Sequence, residues 1–286
     1  VAEGRSRERR RARELRSRAW RRAAGAYAEF WRINVLTTLE YRENFLLWAL
    51  FTLVYHGAAL TALWVVFKSF PSMNGWSFKD MAFLYGLWML AHALHNALFS
   101  NVEEVPERIR EGEFDRVLIR PLDALFQVIT TPGQIFPDEA LMALVYFGFA
   151  VWYSGVRVDL TFVLFVPLVV AGGVLIDLAI NLAIVTVAFW VVRVDELRWI
   201  FLQLESEFTR YPVSIYSRGV RLLVTFVLPF AFVNYLPAAY FLHRGGGGFG
   251  LPPQVGLLTP IVGLAFAAVA YAFWRFGVNR YQGVGH

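Results

Sequence analysis

Cysteine is absent from the 286 residues, which excludes disulfides and cysteine-ligated metal or iron–sulfur sites. Lysine is nearly absent, and its two occurrences, Lys68 and Lys79, both follow phenylalanine. A phosphate loop of the G-x-x-x-x-G-K-[ST] type needs a lysine after glycine to reach the phosphates, so this chain has no ATP site of that kind. Charge of either sign is scarce, at 17% of residues, against about 25% in an ordinary soluble domain. What is plentiful is apolar: 57% of the chain, with 17% aromatic.

The charge-poor stretches are long and discrete. Residues 45–67 contain no Asp, Glu, Lys or Arg. As a helix this run would span about 34 Å, enough to cross a hydrocarbon core of about 30 Å. Residues 81–101 and 255–274 are two further uncharged runs. Residues 160–192 are interrupted only by Asp177 and form one tilted helix or one broken at Gly172-Gly173. Residues 136–153 are apolar after Asp138-Glu139, and residues 222–243 are uncharged but carry Pro229 and Pro237. The fold class predicted is therefore an all-α polytopic membrane protein with six transmembrane helices.

Orientation follows from the basic residues between the runs. With the N-terminus inside, 23 Lys and Arg fall on the cytoplasmic side and 4 on the other. The short loops alone still divide 11 to 4, so both termini are assigned to the cytoplasm. Residues 1–24 are an Arg-rich cytoplasmic segment without the apolar stretch of about 7–15 residues that a secretory signal needs. An organelle transit peptide is the alternative reading of that segment. Across 25–44, Tyr27, Phe30, Trp31, Val35, Thr38 and Leu39 recur at helical spacing beside Arg32, Glu40, Arg42 and Glu43. This predicts an amphipathic helix lying in the membrane interface, in preference to a solvated lead-in, with the transmembrane domain occupying 45–286.

Few polar side chains fall inside the runs. His92 and His95 sit one turn apart, with Asn96 beside them and His56 in the preceding run. No carboxylate follows at ligand spacing, so packing and hydrogen bonding are favoured over metal binding, and no metal is assigned. Asp177 is the one charge deep within a run, with Asn181 one helical turn later. An intramembrane carboxylate is costly unless paired, protonated or hydrated, so a functional role and a helix–helix hydrogen bond are equally supported. Asp138-Glu139 suit a helix N-terminus, and the Gly245 to Gly248 stretch reads as a flexible loop. Trp48, Tyr55, Trp64, Tyr85 and Trp88 are read first as interfacial anchors.

The connection after the second run is the most informative polar stretch. Glu103, Glu104, Glu107, Arg108, Arg110, Glu111, Glu113, Asp115 and Arg116 surround Val105, Ile109, Phe114, Val117, Leu118 and Ile119. That pattern predicts a short helix with one apolar side, suited to a groove on a cytosolic partner; a solvated loop is the alternative.

Residues 111–122 here, Glu-Gly-Glu-Phe-Asp-Arg-Val-Leu-Ile-Arg-Pro-Leu, resemble a segment of permease subunits of ATP-binding cassette exporters of the ABC-2 type. Arg210-Tyr211-Pro212-Val213-Ser214-Ile215-Tyr216 and Phe232-Val233-Asn234-Tyr235-Leu236-Pro237-Ala238-Ala239-Tyr240 resemble two further segments of a bacterial branch of that family, in order. The resemblance implies the ABC-2-type exporter transmembrane fold, a bacterial plasma membrane location and a coupling helix near 103–120. By it, Glu111, Glu113, Phe114, Asp115, Arg116, Leu118, Arg120 and Pro121 would couple to a cytosolic ATPase subunit. A second permease, identical or related, would complete the pathway, with ATP and Mg held by the ATPase and no cofactor in this chain. No nucleic-acid partner is expected.

The resemblance also implies a different path for one region. Residues 197–211 become a short fifth span, and 213–243 stay outside as a re-entrant hairpin carrying Asn234, Tyr235, Pro237 and Tyr240. The basic residues then divide 20 to 7. Hydropathy favours the crossing at 222–243, because Glu205, Glu207 and Arg210 would be costly against lipid. Asp177, Asn181, His92 and His95 are the candidate pathway residues. Two other function classes are an ion-coupled secondary transporter using Asp177, against which no inverted repeat is visible, and an assembly or anchor protein without a transported substrate.

Overall fold

The computed structural model describes residues 42–131, 137–191, 193–245 and 251–281, with residues 25, 27–29, 32–33, 36 and 40 before them. The Arg-rich 1–24 lies outside the described residues, and those described within 25–40 have helical backbone. Among the described residues the chain is helical, with no strand beyond the Met73–Trp76 bridge in a turn. The first helices are α1 (Arg42–Ser69) and α2 (Phe78–Phe99). The short helices α3 (Val105–Arg110), α4 (Phe114–Leu118) and α5 (Ala124–Thr130) follow. Next come α6 (Pro137–Ser154), α7 (Leu160–Thr186) and α8 (Asp195–Arg210), then α9 (Arg218–Leu222), α10 (Leu236–Phe241) and α11 (Thr259–Arg280).

Local chemistry explains the helix starts. Ser77 and Asp80 form a reciprocal capping box at α2, with the Asp80 carboxylate accepting from Ser77 N at 2.8 Å. Asp159 Oδ1 accepts from Phe162 N at 2.8 Å to cap α7, and Asp123 Oδ1 accepts from Phe126 N at 3.1 Å to cap α5. Proline stands in the first turn of α3, α10 and α11, where no intrahelical N–H is required.

Two ends of the bundle are defined by these connections. The α1–α2 and α6–α7 turns share one end, where the Phe78 and Tyr153 rings meet at 6.0 Å and Lys79 lies over the Tyr153 ring. The segment between α2 and α6, with the start of α8, occupies the other. α2 is the central helix, buried along nearly its whole length from Asp80 to Ala97. α1 is its opposite: Leu46, Leu47, Phe51 and Val54 are exposed, as expected of a helix bathed in lipid.

α7 and α11 run in parallel and approach closely through glycine. A Cβ on Gly172 would stand 2.7 Å from the Thr259 carbonyl oxygen and 2.7 Å from Pro260 N, and Gly263 faces Gly172. At the other end, Gly277 lies against Thr186 and Phe189. Lipid supplies no hydrophobic drive between helices, so backbone approach through small residues is what makes such contacts strong.

Among the described residues three helical stretches are long and apolar enough to cross a membrane: Arg42–Ser69, Leu160–Phe189 and Pro253–Arg280. A fourth is reached if Arg218–Val227 and Ala231–Phe241 count as one, but these limbs are bent by 81°. The span expected at 222–243 is thus not one unbroken helix: its two limbs form either a broken span or a re-entrant loop. Pro229 lacks the N–H that would continue the helix, and both limbs contain π-helical turns, at Leu223–Val227 and Ala231–Tyr235. Likewise, the single helix expected over 103–120 is a 3-10 turn at Ser100–Glu104 followed by α3 and α4. Gly112, at φ 71°, turns the chain between the two helices.

Candidate functional site

α8 carries the polar side chains that the core must accommodate. Its first turn is tied to one end of the bundle, where Arg110 Nη1 donates to Asp195 Oδ2 at 3.0 Å and Arg198 pairs with Glu103. Four residues past its C-terminus the chain has reached the other end, where Asn74 Nδ2 donates to the Ser214 carbonyl at 2.8 Å. Trp199 and Ile200 face outward, whereas Glu205 is buried against α2. Trp88 Nε1 donates to Glu205 Oε1 at 3.0 Å.

Around Glu205 the fold assembles a polar cluster from three helices. His92 Nδ1 lies 3.3 Å from Glu205 Oε1, and the His92 ring stacks on Trp88 with centroids 5.2 Å apart. From α7, Asp177 presents a carboxylate that is 1% exposed, and neither of its oxygens has a hydrogen-bond partner. One donor atom each from His92, Asp177 and Glu205 lies within 4.8 Å of the others. Next to them, Asn181 Nδ2 lies 3.3 Å from His95 Nε2 and donates to the Asp177 carbonyl at 3.1 Å. The four residues singled out in the sequence, His92, His95, Asp177 and Asn181, thus come together in the interior.

A cavity of about 250 Å³ reaches this cluster from the α3 end, lined by His92, Asn96, Ser100, Glu103, Glu139 and Arg198 among others. Asn96 Nδ2 donates to both Glu139 carboxylate oxygens, at 3.2 and 3.1 Å. Its mouth is therefore polar and carries both signs of charge.

The 111–121 stretch forms a separate surface at the same end. Glu111, Glu113, Asp115, Arg116, Leu118, Arg120 and Pro121 are exposed, and Ile119 is 83% exposed between them. Phe114 is the exception, fully buried among Phe189, Trp274 and Tyr281 at centroid separations of 5.2, 5.9 and 5.4 Å. It anchors α4 to the ends of α7 and α11. Tyr271 donates to Asp123 Oδ2 at 2.7 Å, a second tie between this stretch and α11. Beside this surface, the hydrogen bond from Arg110 to the Glu107 carboxylate, helped by Asp195, pushes the Arg110 guanidinium above its ordinary pKa.

The bent segment begins and ends at the opposite side of the bundle. Ser214 is held by Asn74, and Arg244 Nη2 donates to Asp80 Oδ2 at 2.8 Å. Between these ties the segment enters the core: Asn234 Nδ2 donates to the Leu84 carbonyl at 3.3 Å and the Thr209 carbonyl at 2.7 Å. Tyr235 packs against Trp76 at 5.0 Å, Pro237 lies at the start of α10 beside Gly256, and Tyr240 meets Phe241 at 5.2 Å.

Sequence spacing missed the carboxylates near His92, because they arrive from α7 and α8 rather than along α2. The available signal for Glu205 was its place on a helix whose opposite face, at Trp199 and Ile200, is apolar.

No curated protein and no solved structure matches the chain. Residues 53–285 match a family described as ABC-2 family transporter protein. That span covers most of the described helices, including both the 111–121 surface and the buried cluster. The chain belongs to this ABC-2 transporter family, and so is a membrane transport subunit rather than a catalyst in its own right.

Proposed function

We propose that this chain is the permease subunit of an ATP-driven exporter in a bacterial plasma membrane, forming half of the substrate pathway with a second permease. A separate cytosolic ATPase, binding ATP and Mg, docks on the 111–121 surface. The observation that carries this reading is the division of roles across α4 and the residue after it: Phe114 packs on Phe189, just past α7, and on Trp274 of α11, while Leu118 and Ile119 stand exposed. A push on the exposed face is thereby delivered to the two helices that pack most closely.

The same reading includes six passes, by α1, α2, α6, α7, α8 and α11, with both termini cytoplasmic and 213–244 re-entrant from outside. Its support is that the first turn of α8 is tied to one end of the bundle and the chain just past its C-terminus to the other, whereas the bent segment returns to the end where it began. The 16 residues of α8 span about 24 Å, short for a crossing but compatible with a locally thinned or protein-lined path.

Purification of the tagged chain with its candidate ATPase tests the proposal. ATP hydrolysis should rise when the permease is present, and replacement of the exposed residues of 113–120 should remove that rise. Transport by the isolated chain without any ATPase would overturn it. That outcome would favour an ion-coupled transporter, for which the buried, unpartnered Asp177 is the supporting observation.

A further inference from the structure

The buried cluster on α2, α7 and α8 has the composition of a metal site. It offers one imidazole from His92 and two carboxylates, from Asp177 and Glu205, with donor atoms within 4.8 Å of one another. On an ion at about 2.1 Å from each ligand in tetrahedral geometry, donor atoms stand about 3.4 Å apart. His92 Nδ1 and Glu205 Oε1 are already at 3.3 Å. Side-chain rotation on the order of 1 Å brings Asp177 to the same spacing, without moving a helix.

Charge provides the second argument. Two carboxylates facing one another in a membrane interior repel, and each loses its hydration. Glu205 is offset by Trp88 and His92, but Asp177 accepts no hydrogen bond at either oxygen and is 1% exposed. A divalent cation meets all three donors at once and neutralises both charges. The neighbouring groups fit this role. Trp88 fixes Glu205 through Nε1 and the His92 ring by stacking, as groups outside a ligand set commonly do. The cavity from the α3 end leads to His92, and although Arg198 in its lining pairs with Glu103, Glu139 adds a further carboxylate along this approach.

We infer that His92, Asp177 and Glu205 bind one divalent transition-metal ion of the zinc class, with a fourth position open to water or to a ligand atom of a transported compound. Mixed nitrogen and oxygen donors select such ions over calcium or magnesium, which prefer oxygen alone. The inference does not rest on the ATPase-partner reading: a chain that binds metal here need not couple to an ATPase, and the reverse also holds.

The test is titration of the full-length protein, purified in detergent and stripped with EDTA, with Co²⁺ and then Zn²⁺. Wild type should take up one Co²⁺ per chain with visible ligand-field bands, which Zn²⁺ bleaches. Asp177→Asn, Glu205→Gln and His92→Gln should each weaken binding by more than about 100-fold, since even losses outside a ligand set cost about 10–100-fold. His243→Ala, at the other end of the bundle, should bind as wild type does. Absence of ligand-field bands in wild type overturns the inference whatever the variants do. So does a stoichiometric site that survives in folded Asp177→Asn and Glu205→Gln proteins.

Discussion

Trp88 and Glu205 are 117 positions apart in the chain, yet the indole Nε1 of one donates to the carboxylate of the other at 3.0 Å across α2 and α8. The same indole ring covers His92. One side chain thus holds both halves of the buried cluster in place.

Replacing Trp88 with Phe keeps a ring over His92 but removes the donor. Glu205 then loses a hydrogen bond to a charged group, which costs about 1–3 kcal/mol when buried. Trp88→Phe should lower the unfolding temperature in detergent, while the double variant Trp88→Phe/Glu205→Gln should fall by less than the sum of the single changes. A coupling energy of about 1 kcal/mol is expected from the thermal or denaturant cycle. Additive losses would mean that the contact contributes nothing.

Gly172 is the closest point of the α7–α11 pair. A methyl group there meets the backbone of Thr259 and Pro260, which cannot rotate aside. Gly172→Ala should force the helices apart and destabilise by about 1–3 kcal/mol, the usual range for overpacking. Gly148→Ala, where nothing lies within 4 Å of an added Cβ, is the matched control and should be neutral or slightly stabilising. Equal melting curves for the two variants would remove the argument for close packing at Gly172.

How much of this was legible in the sequence depends on whether the deciding interaction is local. The run at 45–67 forms α1, and 160–192 contains α7 and its 3-10 extension Val187–Phe189, because uncharged length is a property of the segment itself. At 222–243 hydropathy averages across Pro229 and is blind to the 81° bend, so it does not separate a broken span from a re-entrant hairpin. Glu205 was weighed as a cost against lipid, and its partners Trp88 and His92 come from a distant helix that no spacing rule connects. Gly112 was visible within the 111–122 stretch, yet only its positive φ shows that it separates two helices. The family motif drew attention to the 111–122 stretch but did not reveal that Phe114 turns inward while its neighbours turn out.

Phe114 and Ile119 should therefore separate structure from coupling. Phe114→Ala removes a fully buried ring from among three aromatic neighbours and should cost about 3–5 kcal/mol. Ile119→Asp alters a side chain that is 83% exposed and should leave stability within about 0.5 kcal/mol of wild type. If an ATPase docks on this surface, Ile119→Asp abolishes its stimulation while melting normally. Full stimulation of the ATPase by folded Ile119→Asp would place the docking surface elsewhere.

Ser217 decides the path of the chain. It is exposed, three residues after the Ser214 carbonyl held by Asn74, and it immediately precedes the first limb of the bent pair. If 222–243 crosses the membrane, Ser217 lies in the cytoplasm; if α8 crosses and the bent segment is re-entrant, Ser217 lies outside. The natural absence of cysteine makes Ser217→Cys the sole thiol, so labelling is free of background. Intact cells treated with a membrane-impermeant maleimide should label Ser217→Cys, and should leave Asp115→Cys unlabelled until the membrane is opened. The Asp115 variant matters because it sits at the α3 end, which both paths assign to the cytoplasm, and it reports leakage of the reagent. Protection of Ser217→Cys in intact cells, with labelling after permeabilisation, would return 222–243 to a crossing and require α8 to lie within the cytoplasmic half of the protein.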